Sequence, residues 1–157
     1  MAELAEVSGA DLSTDLDVGR DTPALGDVDE PLTFDAESAL QLGDWFAYGL
    51  QVIDRVLALQ PVTAEPTRAR LWPEHFDLGV DLTAAGGTRL NVGASPGDGF
   101  HESAYLYVSP WDASRPGDAA YWNAPFGAIL GSENIVFSGG SVQIGVGFMI
   151  EGIGRMG

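Results

Sequence analysis

Apolar residues at Leu40, Phe46 or Ala47, Leu50, Ile53 or Val56, and Leu57 keep a period built of threes and fours, and the run stops at Gln60-Pro61. More than five turns of a single period demand a long amphipathic helix, because only a 3.6-residue repeat returns such side chains to one face. The residue before a proline is pushed out of helical geometry, so the helix has to finish there. At its other end Thr33 or Asp35 can cap it, and Glu37 places an acid where the helix dipole favours negative charge. The expected span is about Asp35 to Leu59, with Trp45, Phe46 and Tyr48 as core or sheet-packing residues.

Beyond the helix the period changes. Thr67 to Leu71 alternates Arg with Ala and Leu, and Phe76 to Leu82 alternates apolar residues with Asp or Gly, as a half-buried strand does. Gly86-Gly87 supplies a turn, Arg89 to Ala94 a returning strand, and Ala104 to Val108 a third strand bounded by Pro and Gly. From Pro110 to Gly117 the chain is loop-like, and Tyr121 to Phe126 is extended or turn-rich around Pro125. Val142 to Ile150 fits two periods. Val142, Ile144, Val146, Phe148 and Ile150 alternate as in a strand, while Val142, Val146, Met149, Ile150 and Ile153 form a helical stripe with Ser141 as a cap.

A chain of 157 residues is long enough for one well-formed core and short for two. Residues 1–37 hold eleven Asp or Glu against Arg20 alone, whereas the remaining 120 residues hold twelve acids and six Arg. The expected organisation is therefore an acidic, mainly irregular arm over residues 1–33, with a short helical turn around Ala2 to Val7, and a single domain over 34–157. A net charge of −16 without a basic stripe argues against a nucleic-acid partner and against anionic membrane surfaces. The absence of Cys removes disulfides, thiolate metal sites and thiol nucleophiles. Acids interrupt every apolar run in the first twenty residues, so no secretory signal is visible and the chain reads as cytoplasmic. All seven basic residues are Arg, which reflects GC-rich coding more than chemistry.

The block from 71 to 126 holds three of the four Trp, three of the four Tyr and both His. Glu74, His75 and Asp77 lie close in sequence, and His101 with Glu102 sits at the edge of the next strand, so a divalent metal held by His75, Asp77, His101 and Glu102 is one candidate. Their spacing matches no metal template, and strand alternation sets His75 and Asp77 on one side with Glu74 and Phe76 on the other. The blander expectation is a strand-end hydrogen bond for His75 and a solvated loop for His101 and Glu102. Ser95-Pro96-Gly97-Asp98-Gly99 reads as a tight turn rather than an anion cradle, since no neighbouring Lys or Arg favours phosphate. Gly145, Gly147, Gly152 and Gly154 read as a close-packing face. Ser95 and Ser103 lie in turn and strand-edge contexts without a recognisable nucleophile elbow, the Ser95 to Gly99 turn has neither Walker nor dinucleotide glycine spacing, the N-terminal Asp residues do not follow a calcium loop, and no cofactor is implied. The rings of Trp72, Phe76, Tyr105, Tyr107, Trp111, Tyr121 and Trp122 are expected chiefly as core against the long helix. The alternative is a ligand pocket in which Tyr105 and Tyr107 share a strand face with Trp72, Trp111 and Trp122 about its mouth.

Four segments, Leu71 to Leu78, Asn91 to Asp98, Tyr105 to Trp111 and Trp122 to Gly127, resemble a group of uncharacterised actinobacterial proteins. The resemblance spans roughly residues 22 to 155 and includes Asp44 to Gly49. It implies a helix over Ser141 to Arg155 and a β-rich stretch ahead of Met1, so that this chain would be N-terminally short, and it carries no activity. The resulting expectation is an α+β fold, an antiparallel sheet of three to five strands packed against a long N-terminal helix and a C-terminal helix. Its function is expected to be that of a non-catalytic binding or interaction module whose small-molecule ligand is unspecified. The alternatives are a metal-dependent, hydrolase-like enzyme using His75 and His101, and a homo-oligomer in which a second copy covers sheet surface left bare by the missing segment.

Overall fold

A computed structural model describes residues 35–157 together with Asp27, Pro31 and Thr33. The acidic arm, including the turn expected around Ala2 to Val7, falls almost wholly outside the described residues. Helix α1 spans Ala36–Ala58, with Asp35 as its cap accepting hydrogen bonds from the Glu37 and Ser38 amides. A short 3-10 turn at Val62–Ala64 leads into five antiparallel strands: β1 (Arg70–Trp72), β2 (Asp77–Thr83), β3 (Arg89–Ser95), β4 (Tyr105–Pro110) and β5 (Ala128–Gly131). They pair in chain order, and helices α2 (Ser132–Phe137) and α3 (Val142–Arg155) follow. This is the expected α+β architecture. Strand β5 and helix α2 are additions, since the sequence pattern assigns no element to residues 127–140.

Strand alternation sorts the core. Val80 and Leu82 of β2, Leu90, Val92 and Ala94 of β3, and Leu106 and Val108 of β4 are buried on one face. They meet Val52, Ile53 and Val56 of α1 and Val146, Met149 and Ile153 of α3. Full burial of each such aliphatic side chain contributes roughly 1.5–3 kcal/mol. Helix α1 lies over β2 and β3, α3 lies over β4 and β5, and the two helices touch.

The ambiguous C-terminal segment is helical because its small residues suit a helix seated on the sheet. Gly145, Val146, Met149, Gly152 and Ile153 form the buried stripe, and Ser141 caps it by accepting from the Gln143 amide. A Cβ on Gly145 would come 2.6 Å from a Leu106 methyl and 2.8 Å from one of Val52. One on Gly152 would come 2.9 Å from both Val108 methyls. Gly147 and Gly154 face open space, so only half of the expected close-packing glycines pack. Trp45 and Tyr48 pack against the core edge, stacked on each other at 5.6 Å, while Phe46 meets Phe76 edge-on. Among the described residues no helix is long and apolar enough to cross a membrane.

Candidate functional site

The same alternation places Asp77, Gly79 and Asp81 of β2, Asn91, Gly93 and Ser95 of β3, and Tyr105, Tyr107 and Ser109 of β4 on the face away from α1 and α3. Together with flanking loops they form an open cleft of about 940 Å³. Trp72 at the end of β1, Trp111 just past β4, Phe100 and Phe126 wall it. Trp72 is 40% exposed and Trp111 64%. The core expectation is therefore corrected for Trp72, Phe76 and Trp111, which are partly exposed to solvent, although Phe76 still meets Phe46 of α1, and for Tyr105 and Tyr107, which are buried on the sheet face opposite the helices.

Two glycines shape the floor. Gly79, Gly93 and Tyr107 are register neighbours across three strands. A Cβ on Gly79 would stand 2.7 Å from the Tyr107 hydroxyl and 3.2 Å from Trp72 Nε1, and one on Gly93 would collide with the phenol ring. Their bare Cα atoms let Tyr107 reach across the sheet and donate a hydrogen bond to Asp77 Oδ2. Burial raises the Asp77 carboxyl above its ordinary 3.8, against the pull of the Tyr107 hydroxyl and of His75. Burial, reinforced by the Asp77 charge, raises the Tyr107 phenol as well.

A second carboxylate–phenol pair lies beside the first. In the Ser95 to Gly99 turn, Asp98 Oδ1 accepts from the Phe100 and His101 amides at 2.8 and 2.9 Å, and Oδ2 accepts from the Tyr105 hydroxyl at 2.6 Å. Ser95 Oγ accepts from the Gly97 amide. Partial burial pushes the Asp98 carboxyl up, but the phenol and the two amides outweigh it, and the group is held below 3.8. The Tyr105 phenol is raised by burial and by its bond to Asp98, and its ring meets Tyr107 edge-on at 6.4 Å. At the far end Trp111 Nε1 donates to Asn91 Oδ1, and the Arg89 guanidinium sits 5.7 Å from the indole centroid.

The sequence-derived candidates divide. Trp72, His75, Asp77, Tyr105, Tyr107 and Trp111 line the cleft. Trp122 does not: it packs against the helix-side core, donates from Nε1 to the Pro116 carbonyl and meets Tyr121 edge-on. His101 and Glu102 are also outside the lining, with His101 Nε2 3.8 Å from Glu133 Oε1 and Glu102 exposed. The expected segregation of His75 with Asp77 from Glu74 fails because 73–76 is a turn, not strand, with Phe76 at φ 53°, and Glu74 and His75 both border the cleft. The four proposed metal ligands are thus not gathered, and among the described residues no three His, Asp or Glu side chains form a group that could hold a metal ion.

Sequence reasoning missed Glu74, Asp81, Asn91, Asp98, Phe100 and Phe126 as lining residues. For Asp81 and Asn91 the signal was present, since each alternates with buried aliphatic residues on its strand. Chemically, the Tyr107 phenol keeps its proton and donates to Asp77, while Ser95 Oγ accepts from the Gly97 amide and Ser109 Oγ donates to the Phe126 carbonyl. Ring faces and acids side by side suit holding a molecule more than cleaving one.

Fold and cleft together define an α+β protein with helices on one face of a five-stranded sheet and an aromatic-walled hollow on the other. No family model matches the chain, and no curated protein and no solved structure matches it.

Proposed function

We propose that this protein is a non-catalytic binding module that holds a small ring-bearing molecule against the open sheet face. The observation that carries this reading is the exposure of Trp72 and Trp111 on either side of a floor built from Tyr105 and Tyr107. Large rings left in contact with water at the rim of a concave surface are the usual means of gripping a flat apolar ligand. We further infer a protein without a nucleic-acid partner, from the acidic composition, a cytoplasmic location, from the acids that interrupt each apolar run of the first twenty residues, and membership of the uncharacterised actinobacterial group that the four segments resemble. A metal-dependent hydrolase on His75 and His101 is not favoured, because His101 turns toward Glu133 and lies outside the cleft.

The reading is tested by screening soluble aromatic fragments against the full chain with ligand-observed NMR. Hits are expected to lose binding on Trp111→Ala. Fragments that bind equally to that variant and to Trp72→Ala, both folded, would place the ligand elsewhere.

A further inference from the structure

From the chemistry of the lining we infer that the cleft is selective for an organic cation, an amine or quaternary ammonium carried on a flat apolar body. This deepens the binding reading above and rests on it.

Three observations converge. Glu74, Asp77, Asp81 and Asp98 all line the cleft, no Lys or Arg is among its lining residues, and Arg89 stands against the Trp111 ring at its end, so the fixed charge around it is predominantly negative. Those acids are interleaved with ring faces rather than clustered on a solvated loop, and the electron-rich face of an indole or phenol attracts a cation within about 6 Å of its centroid. The molecule already uses one of these rings in that way: Arg89 lies 5.7 Å from the Trp111 centroid at the end of the cleft, where its Nη1 also donates to Thr83 Oγ1. Asp77 adds a reason for selectivity. The residue is only 8% exposed and burial disfavours its charged form, so a cation arriving beside it adds to the favourable pull of His75, whereas an anion meets four acids. A neutral molecule gains the ring contacts alone.

The experiment titrates the full chain with three probes that share a phenyl ring on a two-carbon arm: 2-phenylethylammonium, 2-phenylethanol and 3-phenylpropanoate. Binding is followed by tryptophan fluorescence at low and at raised salt. The ammonium is expected to bind about tenfold more tightly than the alcohol, with no measurable response to the carboxylate, and its advantage should shrink as salt is added. Asp98→Asn and Asp81→Asn should each erode that advantage, lowering the ammonium's affinity more than the alcohol's. Where either variant fails to fold, Glu74→Gln at the rim serves the same comparison. Equal affinity for ammonium and alcohol would overturn the cation proposal and leave the binding module standing. Preference for the carboxylate would overturn it too. Silence toward all three probes at millimolar concentration would count against the cleft as a binding site altogether.

Discussion

The two faces of one sheet are built from the same three central strands and differ in almost everything else. On the helix side β2, β3 and β4 present Val80, Leu82, Leu90, Val92, Leu106 and Val108, nearly all inaccessible to solvent. On the open side the intervening positions are Asp77, Gly79, Asp81, Asn91, Gly93, Tyr105 and Tyr107. The first set has only burial to offer. In the second set, two glycines give up side-chain packing so that one tyrosine can reach a carboxylate, an arrangement that defines a surface as well as holding the strands together. Stability and recognition are thus divided by strand parity.

That division can be broken most sharply at Leu106. Leu106→Ala should cost about 3 kcal/mol in denaturant unfolding, as large-to-small changes at fully buried sites do, whereas Trp111→Ala on the open side should cost less than about 1 kcal/mol. Equal losses would erase the distinction. Gly145→Val should follow at about 2 kcal/mol, because its side chain would press into Leu106 and Val52. On the cleft side Tyr107→Phe removes the donor that serves a buried carboxylate, with an expected cost of about 1–2 kcal/mol. Carboxyl NMR should then show Asp77 titrating at still higher pH than in the parent protein. Gly147→Ala, on the solvent side of α3, should instead stabilise by about 0.5–1 kcal/mol, and a loss there would show that the helix is seated differently.

The smallest effect is the dependence of stability on pH, where the two carboxylate–phenol pairs act in opposite directions. Asp98, held below 3.8 in the folded protein, contributes stability that is complete above pH 3.8 and lost as pH falls through its folded value. Asp77 is held above 3.8, so its contribution is complete below pH 3.8 and lost as pH rises through its raised value. Unfolding curves measured across the acid range should therefore lose part of their acid limb in Asp98→Asn and part of their decline toward neutrality in Asp77→Asn. The same sign of change in both variants would contradict the assignment.

Much of this was legible in the chain. The long period ending at Gln60-Pro61 located α1 to within a residue or so, and the alternation of 76–82 and 89–94 located β2 and β3. The side of the sheet on which the rings lie was not legible. In β4 the tyrosines alternate with Leu106 and Val108, so both faces read as apolar, and only the packing of α1 and α3 decides which becomes core. Phe76 misled for a different reason: its left-handed conformation ends the turn and resets the alternation, a local event that no hydrophobic pattern reports. Asp98 was hidden because its turn chemistry fully accounted for its presence. Strand β5, only Ala128–Gly131, carries too little pattern to stand out.

The four indoles offer the most direct test, since two border the cleft and two pack on the core side of the sheet. In a titration with 2-phenylethylammonium followed by the indole N–H resonances of 15N-labelled protein, those of Trp72 and Trp111 are predicted to shift together and saturably, with Trp45 and Trp122 unmoved. Shifts confined to Trp45 and Trp122 would contradict the placement of recognition on the open face.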